Sequence, residues 1–175
     1  MKYVALLRGV NVGKACRIDM KELRSLFESL SCINVSTYIN SGNVVFESVE
    51  DKDIIRNKIE AGLEKEFGCK IPTLVLTHEE IMHIAEAIPK KWQNDASQRT
   101  DVAFLFPGID AMKTMNELPM KKEFMDIRCL DGAICWNMDR NNYSRSHLNK
   151  IISHRLYQVM TIRNVNTVRY LAEKS

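Results

Sequence analysis

The sequence predicts an α+β protein built from two tandem ferredoxin-like βαββαβ subdomains with mainly antiparallel sheets. The first observation is that one order of strand and helix patterns, βαββαβ, occurs twice along the 175 residues with different residues in each copy. The second is that polar turns rich in Asn, Gly and Ser separate the patterns. A split βαβ unit of this kind is the ferredoxin-like motif. We therefore predict a first subdomain at residues 1–77, a linking helix and polar loop at 78–100, and a second subdomain at 101–175 with an extra C-terminal helix.

The first copy is delimited by helix-capping and turn residues. Asp19 is predicted to begin the first helix, because Glu22 stands three residues later in the capping-box spacing. The polar turn at residues 40–43 joins two β-branched runs and predicts a hairpin. Gly68 is suited to end the second helix in the left-handed conformation. The predicted elements are strand 3–10, helix 20–30, strand 33–39, strand 44–46, helix 54–67 and strand 71–77.

The second copy repeats this order after a predicted linking helix at 77–88 and a polar loop at 89–100. Pro119 ends its first helix, and Asp131-Gly132 is a strong hairpin turn. The predicted elements are strand 101–106, helix 109–118, strand 123–130, strand 133–138, a helix over 146–157, strand 159–163 and a final helix at 164–174.

The composition predicts a compact cytoplasmic protein that does not enter a membrane. Apolar residues make up 45% of the chain, and the formal net charge is +3. No apolar run approaches the roughly 18 residues of a membrane helix, and Arg8 interrupts the N-terminal run before it could serve as a signal segment. The mild charge does not by itself indicate a nucleic-acid partner. The oligomeric state stays open.

Neither a disulfide framework nor a metal site is predicted. The five cysteines are an odd number and form no CxxC pair, so we expect all of them to be reduced. His78 and His83 stand five residues apart, whereas a zinc-binding helix presents two His four residues apart. We therefore predict no bound zinc and no cofactor.

A glycine-containing segment after the first strand resembles a phosphate-binding P-loop only in part. Gly9 and Gly13 are separated by three residues instead of four, and Ala15 stands where the P-loop needs a Mg²⁺-binding Ser or Thr. These differences exclude a Walker-type nucleotide triphosphatase. Two interpretations stay open. Either backbone amides, with Arg8, Lys14 and Arg17 as neighbouring charges, hold an anion, or the segment is a tight strand–helix turn.

A first polar corner is predicted at the end of the first strand. In a split βαβ unit the first two strands are parallel and the third lies antiparallel between them. The end of strand one therefore lies beside the hairpin that joins strands two and three. This adjacency predicts one cluster of Arg8, Asn11, Asn40 and Asn43.

A second polar corner is predicted where strands three and four of the second copy end. Tyr143, Ser144 and Arg145 follow strand three, and Arg163 and Asn164 end strand four. Arginine forks form charge-assisted hydrogen bonds with anions, and Asn amides orient a ligand. If the two corners face each other, they enclose a cleft for a small anionic or phosphorylated ligand. The alternative is that these residues only cap helices and tie down turns.

Four motifs carry a resemblance to a known family. They are LLRGVNVG at residues 6–13, TYINSGNVVF at 37–46, YSRSHL at 143–148 and TIRNVNTV at 161–168. On these motifs the chain resembles the bacterial family called the domain of unknown function 1697 family, and the resemblance runs nearly end to end. It implies the same fold and a cytoplasmic location, and it implies no activity, substrate or catalytic residue. The chain departs from the usual pattern at Lys14, Ala15 and Val165.

Three classes of function follow from the sequence, and the sequence does not decide whether any reaction is catalysed. The first is binding of, or action on, a small anionic ligand at the two corners. The second is RNA binding, which the third strand disfavours because Val44, Val45 and Phe46 lack the interleaved aromatic pattern of an RNA-recognition strand. The third is a structural or regulatory protein with no small-molecule site, favoured by strands that are apolar on both faces.

Overall fold

The computed structural model describes residues 1–13 and 16–175 and divides the chain into two compact units. The first unit contains Met1–Met82 together with Leu171–Ser175, and the second contains His83–Tyr170. Within the first unit the His78 Nδ1 atom lies 2.9 Å from Ser175 Oγ, and Ser175 is buried. These two compact units have different bounds from the predicted subdomains at 1–77 and 101–175 and the predicted linker at 78–100. The subdomain bounds stay a prediction about which segments fold independently.

The first unit has the ferredoxin-like topology. Its sheet has the strand order β2-β3-β1-β4, and every neighbouring pair is antiparallel. The elements are β1 (Lys2–Leu7), α1 (Met20–Ser29), β2 (Ile33–Tyr38), β3 (Asn43–Glu47), α2 (Lys52–Phe67), β4 (Thr73–Thr77) and α3 (His78–Ala87), which continues into the second unit.

The helices of the first unit begin and end at the residues expected from capping. The Asp19 carboxylate accepts hydrogen bonds from the backbone N–H of Lys21 at 2.8 Å and of Glu22 at 3.4 Å. Gly68 ends α2 with a left-handed φ of 67°, and its N–H donates to Glu64 O at 2.9 Å. Phe27 from α1 packs edge-on against Phe46 of β3 at 5.2 Å in the core. The helices are thereby fixed on one face of the sheet.

The second unit repeats this topology with the strand order β6-β7-β5-β8, again antiparallel throughout. The predicted α+β fold of two βαββαβ halves is confirmed. The elements are β5 (Gln98–Leu105), α4 (Ala111–Glu117), β6 (Asp126–Leu130), β7 (Ala133–Asp139), α5 (Tyr143–Ser146), β8 (Met160–Asn164) and α6 (Val165–Lys174), which continues into the first unit.

The predicted helix over 146–157 is wrong. The helix α5 ends at Ser146, His147 has a left-handed φ of 60°, and two short 3₁₀ helices follow at Leu148–Ile151 and Arg155–Val159. The Ser146 hydroxyl donates to Tyr143 O at 2.7 Å and accepts from the backbone N–H of Leu148 at 3.3 Å. A serine side chain that bonds the neighbouring backbone competes with helical hydrogen bonds, and a left-handed residue cannot continue a helix.

The polar segment before β5 is more ordered than a linking loop. The strand begins at Gln98 rather than at Asp101, because Gln98 and Arg99 pair with Asp139 and Met138 of β7. Trp92 is buried, and the Thr100 hydroxyl donates to Gln93 O at 2.7 Å. This segment therefore packs as part of the second unit.

The prediction that all cysteines are reduced is wrong. Cys16 and Cys69, separated by 53 positions in the sequence, form a disulfide with a Cα–Cα distance of 6.3 Å. Sequence spacing detects only cysteines that are close along the chain, whereas the fold joins the connection after β1 to the connection after α2. Cys32, Cys129 and Cys135 are free thiols.

The described residues contain neither a candidate membrane-spanning helix nor a candidate metal-binding cluster. Over residues 1–13 and 16–175, no helix is long and apolar enough to cross a membrane. Over the same residues, no group of three or more His, Cys, Asp or Glu side chains is arranged to hold a metal ion. The absence of a cofactor stays a prediction.

Candidate functional site

The structure brings Asn11 and Asn40 of the first corner together. Leu6 of β1 is paired with Asn43 of β3, and the Leu7 N–H donates to Gly42 O at 2.9 Å. This pairing places the end of β1 beside the hairpin, as the split βαβ geometry predicts. The Asn11 side-chain N–H then donates to Asn40 O at 2.9 Å.

Asn11 holds the connection between β1 and α1, residues 8–19, which we call the first loop. Its side chain donates to Ile18 O at 2.8 Å and accepts from Ile18 N–H at 2.9 Å. Its backbone N–H donates to Cys16 O at 3.0 Å. Asn11 has a left-handed φ of 57°, which Asn tolerates better than most residues. The side-chain amide of Asn11 therefore joins the two ends of the first loop to each other and to the hairpin.

The remaining residues of this corner lie deeper in the unit. Asn43 is fully buried, and its side chain donates to Tyr38 O at 3.1 Å and Ser41 Oγ at 3.0 Å. Arg8 is partly buried, and its backbone N–H donates to Pro72 O at 3.0 Å. These contacts of Asn11 and Asn43 are therefore those of a loop and a hairpin. Ligand binding at the first corner stays a prediction.

Part of the anion-loop hypothesis lies outside the described residues. Lys14 and Ala15 are not described. Gly9 and Gly13 both have left-handed φ values, 71° and 57°. The exposed Arg17 donates from Nη2 to Gly13 O at 3.5 Å. These contacts fit a turn as well as an anion site, so both interpretations stay open.

The two β8 residues of the second corner, Arg163 and Asn164, lie on opposite faces of their sheet. Arg163 is paired with Val102, and Asn164 is paired with Asp101. Successive residues of a strand point to opposite faces, and Ala103 lies on the core face of this sheet. The alternation therefore places Asp101 and Asn164 on the core face and Arg163 on the opposite face. The adjacency rule predicted the correct strand ends, but it did not separate their faces.

Arg163 is a buried cation. Its Nη1 atom donates to Thr161 Oγ1 and to Ile162 O, both at 2.9 Å. Burial lowers the pKa of the guanidinium from its usual value to about 10, and the nearby Tyr157 opposes this effect. Asn164 caps α6, because its Oδ1 accepts from the Thr167 N–H at 3.0 Å.

An arginine–aspartate pair that the sequence analysis missed lies at the same end of this sheet, on the interior strand β5. Arg99 Nε donates to Asp101 Oδ2 at 2.6 Å, and Asp101 is only 5% exposed. Burial is the largest single influence on the pKa of Arg99 and lowers it, but the charge and hydrogen bonding of Asp101 and Tyr143 together raise it by more, so the net shift is upward. The Arg99 guanidinium carbon lies 4.8 Å from the centroid of the Tyr143 ring. The only signal in the sequence was two opposite charges at the i, i+2 spacing of one strand face.

Arg145 lies on a second aromatic ring. Its guanidinium carbon is 4.5 Å from the centroid of Phe124, in the 3₁₀ helix Lys122–Phe124. The side chain is exposed, and among the described residues its N–H groups have no hydrogen-bond or ion-pair partner. A guanidinium positioned by a ring keeps its donors for a ligand. Sequence reasoning found Arg145 but not Phe124, since no spacing rule relates residues in different elements.

Two lysines are held by backbone hydrogen bonds to the residues that follow Arg145. The Lys121 N–H donates to Ser146 O at 2.8 Å, and the Lys150 N–H donates to His147 O at 3.0 Å. Partial desolvation, together with the charges of Lys150 and Lys121, lowers the pKa of His147, and Glu123 opposes them. Lys121 and Lys150 are exposed. We call Lys121, Arg145, His147 and Lys150 the basic patch.

The sheet of the first unit exposes no aromatic platform on β3. Phe46 and Val44 are fully buried, and Val45 is 8% exposed. RNA-recognition sheets stack bases on exposed aromatic side chains of their central strands. The burial of β3 therefore disfavours that mode of RNA binding.

The comparisons with known proteins agree with the resemblance found in the sequence. The family model described as "Protein of unknown function (DUF1697)" matches residues 1–133. The structure of a conserved bacterial protein from Streptococcus pneumoniae is similar, with a TM-score of 0.84 and 28% sequence identity over 98% of this chain and 97% of that one. No curated protein matches the sequence.

Proposed function

The chain belongs to the DUF1697 family, and we propose that this member binds a small anionic ligand carrying a phosphoryl group at the basic patch. The position of Arg145 over Phe124 carries this proposal. The ring restricts the arginine side chain before any ligand arrives, which reduces the entropy lost on binding. The N–H groups of the guanidinium match the paired oxygens of a phosphoryl group.

The neighbours of Arg145 supply the remaining recognition chemistry. Lys121 and Lys150 add positive charge that attracts an anion without fixing its orientation. Tyr143 and Ser144 are exposed on the helix that carries Arg145, and their hydroxyls can donate to phosphoryl or sugar oxygens. His147 gains a proton more readily once an anion offsets the two lysine charges. Ligand binding is therefore expected to weaken as the pH rises through the titration of His147.

The first corner has a secondary place in this proposal. Asn11 and Asn43 already bond backbone and side-chain groups of the loop and hairpin, whereas the donors of Arg145 are available. Arg8 with Asn40 is kept as a second anion site to be tested separately.

The test is a thermal-shift screen of the purified protein with phosphorylated metabolites and nucleotides. At a hundredfold excess over its dissociation constant, a bound ligand adds about 2.7 kcal/mol to the free energy of unfolding. Arg145→Ala should remove this gain. Arg24→Ala is the matched control, because Arg24 is also an exposed arginine and is paired with Glu28 on α1.

Three results separate the alternatives. If no compound raises the melting temperature, or if Arg145→Ala keeps the full shift, the basic patch does not bind the ligand. A shift lost in Arg8→Ala but kept in Arg145→Ala would move the site to the first corner. Short single-stranded RNA that binds more tightly than every phosphorylated metabolite would favour an RNA-binding module instead.

We also propose a cytoplasmic location. The composition and the family resemblance support it, whereas the Cys16–Cys69 disulfide is unusual for a reducing compartment. Fractionation of cells that produce the tagged protein tests the location. Recovery in a secreted or periplasmic fraction would contradict it.

A further inference from the structure

We propose that the Cys16–Cys69 disulfide is a redox-sensitive link that a dithiol reductant opens, releasing the part of the first loop around Cys16 from Cys69 while the Arg8–Pro72 hydrogen bond and the fold of the first unit are kept. This inference concerns a different unit from the basic patch and does not depend on ligand binding there.

The first loop has two kinds of attachment, noncovalent contacts and one covalent bond, and the noncovalent ones include the hydrogen bond from the Arg8 N–H to Pro72 O. Asn11 bonds Cys16 O, Ile18 and Asn40, which closes the loop on itself and on the hairpin. The disulfide is the covalent attachment of the loop to Cys69, which directly follows the helix-ending Gly68. Only the second attachment responds to a reductant.

The core of the first unit does not depend on the two sulfur atoms. Val10 and Ile18, near the two ends of the loop, are buried in the core, as is Leu7 before it. Cys16 and Cys69 are only partly buried and pack against the edge of this core. Opening the disulfide therefore leaves the apolar contacts at both ends of the loop in place.

The structure also accommodates the reduced form of Cys69. Its Sγ atom lies 3.3 Å from Phe67 O. A disulfide sulfur carries no proton, but the thiol formed on reduction can donate to this carbonyl at that distance. Reduction thus gives the new thiol a hydrogen-bond acceptor without a change of backbone.

The other thiols are poorly suited to compete in the exchange reaction. Burial raises the pKa of Cys32 and of Cys135 to about 11, and burial also raises the pKa of Cys129. These thiols stay protonated near neutral pH, and the thiolate is the nucleophile in disulfide exchange. Redox chemistry is therefore expected to be confined to the Cys16–Cys69 pair.

The reaction balances with a dithiol as the reductant. One thiolate of the dithiol attacks a sulfur of the Cys16–Cys69 bond, forms a mixed disulfide and releases the other cysteine as a thiolate. The second thiol of the reductant then displaces the remaining cysteine and becomes part of an intramolecular disulfide. Two electrons pass to the protein, and the two cysteine sulfurs take up two protons.

The experiment compares amide hydrogen exchange in the air-oxidised and the dithiothreitol-reduced full-length chain, with alkylation and mass measurement to count thiols. Reduction should add two alkylated cysteines and accelerate exchange in peptides covering residues 9–19, on the order of tenfold or more, while α2 keeps its protection. Trypsin should also cut faster after the exposed Arg17.

Matched variants identify the responsible bond. The double variant Cys16→Ser/Cys69→Ser should show the fast loop exchange with or without reductant. Cys129→Ser, which removes a free thiol, should respond to reductant like the wild type. If the double variant does not fold, the comparison of the oxidised with the reduced wild-type chain still tests whether the disulfide restrains the loop.

Three outcomes would overturn the proposal. If reduction also removes the protection of α2 amides from exchange, the disulfide stabilises the fold of the whole first unit and not only the loop. Unchanged exchange in the loop would show that its noncovalent contacts hold it without the disulfide. Five alkylatable cysteines in the air-oxidised protein would show that the bond does not form.

Discussion

The crossover between the third and fourth strands is built differently in the two units. In the first unit it is the continuous sixteen-residue helix α2, which buries Ile55, Ile59 and Leu63 at every fourth position. In the second unit residues 140–159 are divided into the four-residue α5 and three 3₁₀ helices. The same topology thus accepts a regular or an irregular crossover, and the basic patch lies on the irregular one.

The irregular crossover presents side chains that a regular helix would separate. The left-handed conformation of His147 ends α5 and changes the direction of the chain. Arg145, His147 and Lys150 therefore lie on short helical turns instead of on one regular helix. In α2 the equivalent stretch is a regular helix that packs one face on the core and exposes the other. Function is therefore expected where the second copy departs from the regular form of the first.

The largest expected difference concerns burial. Ile59→Ala in α2 should lower the free energy of unfolding by about 2–5 kcal/mol, because it leaves a cavity in the first core. Ile152→Ala, at a position 67% exposed in the second crossover, should change it by less than about 0.5 kcal/mol. Urea denaturation of both variants measures this difference. Equal losses would mean that the two crossovers are packed alike.

A smaller effect is expected at the partly buried Arg99–Asp101 ion pair of the second unit. Asp101→Asn should cost about 1–3 kcal/mol, below the roughly 3–5 kcal/mol of a fully buried pair, since the Arg99 side chain is 33% exposed. Glu28→Gln in the exposed Arg24–Glu28 pair of the first unit should cost less than about 1 kcal/mol. A double-mutant cycle with Arg99→Met isolates the pair, and a coupling energy near zero would contradict its assigned role.

The smallest contrast compares two left-handed residues. Gly68→Ala should destabilise the protein by about 1–2 kcal/mol, because a Cβ is disfavoured at a φ of 67°. His147→Gly should change stability by less than about 1 kcal/mol, because relief of the same strain is offset by a more flexible unfolded chain. Thermal melts of the two variants measure both effects. A large loss in His147→Gly would mean that the imidazole itself stabilises the crossover.

The order of strands and helices could be predicted because it depends on local patterns. Asp19 and Gly68 limit their helices as capping chemistry requires, and Asp131-Gly132 joins its hairpin. The prediction of a helix over 146–157 was wrong because the apolar residues there have the spacing of an amphipathic helix. The spacing does not reveal that the Ser146 hydroxyl bonds the backbone on either side of His147.

The candidate site was predictable only at the level of strand ends. Pairing of Asn11 with Asn40 followed from topology alone. The contacts of Arg145 with Phe124, of Arg99 with Tyr143 and of Cys16 with Cys69 each join separate elements. Contacts of this kind depend on how the elements pack, which a spacing rule along the chain does not contain.

The return of residues 171–175 to the first unit has a consequence for synthesis. The sequence of the second unit interrupts that of the first, so the buried Leu171 and Ser175 are translated only after the whole of the second unit. At about 5–20 residues per second, the ribosome takes several seconds to cover that distance. During this interval His78 is without its Ser175 contact. The half of the protein that begins first therefore completes its structure last.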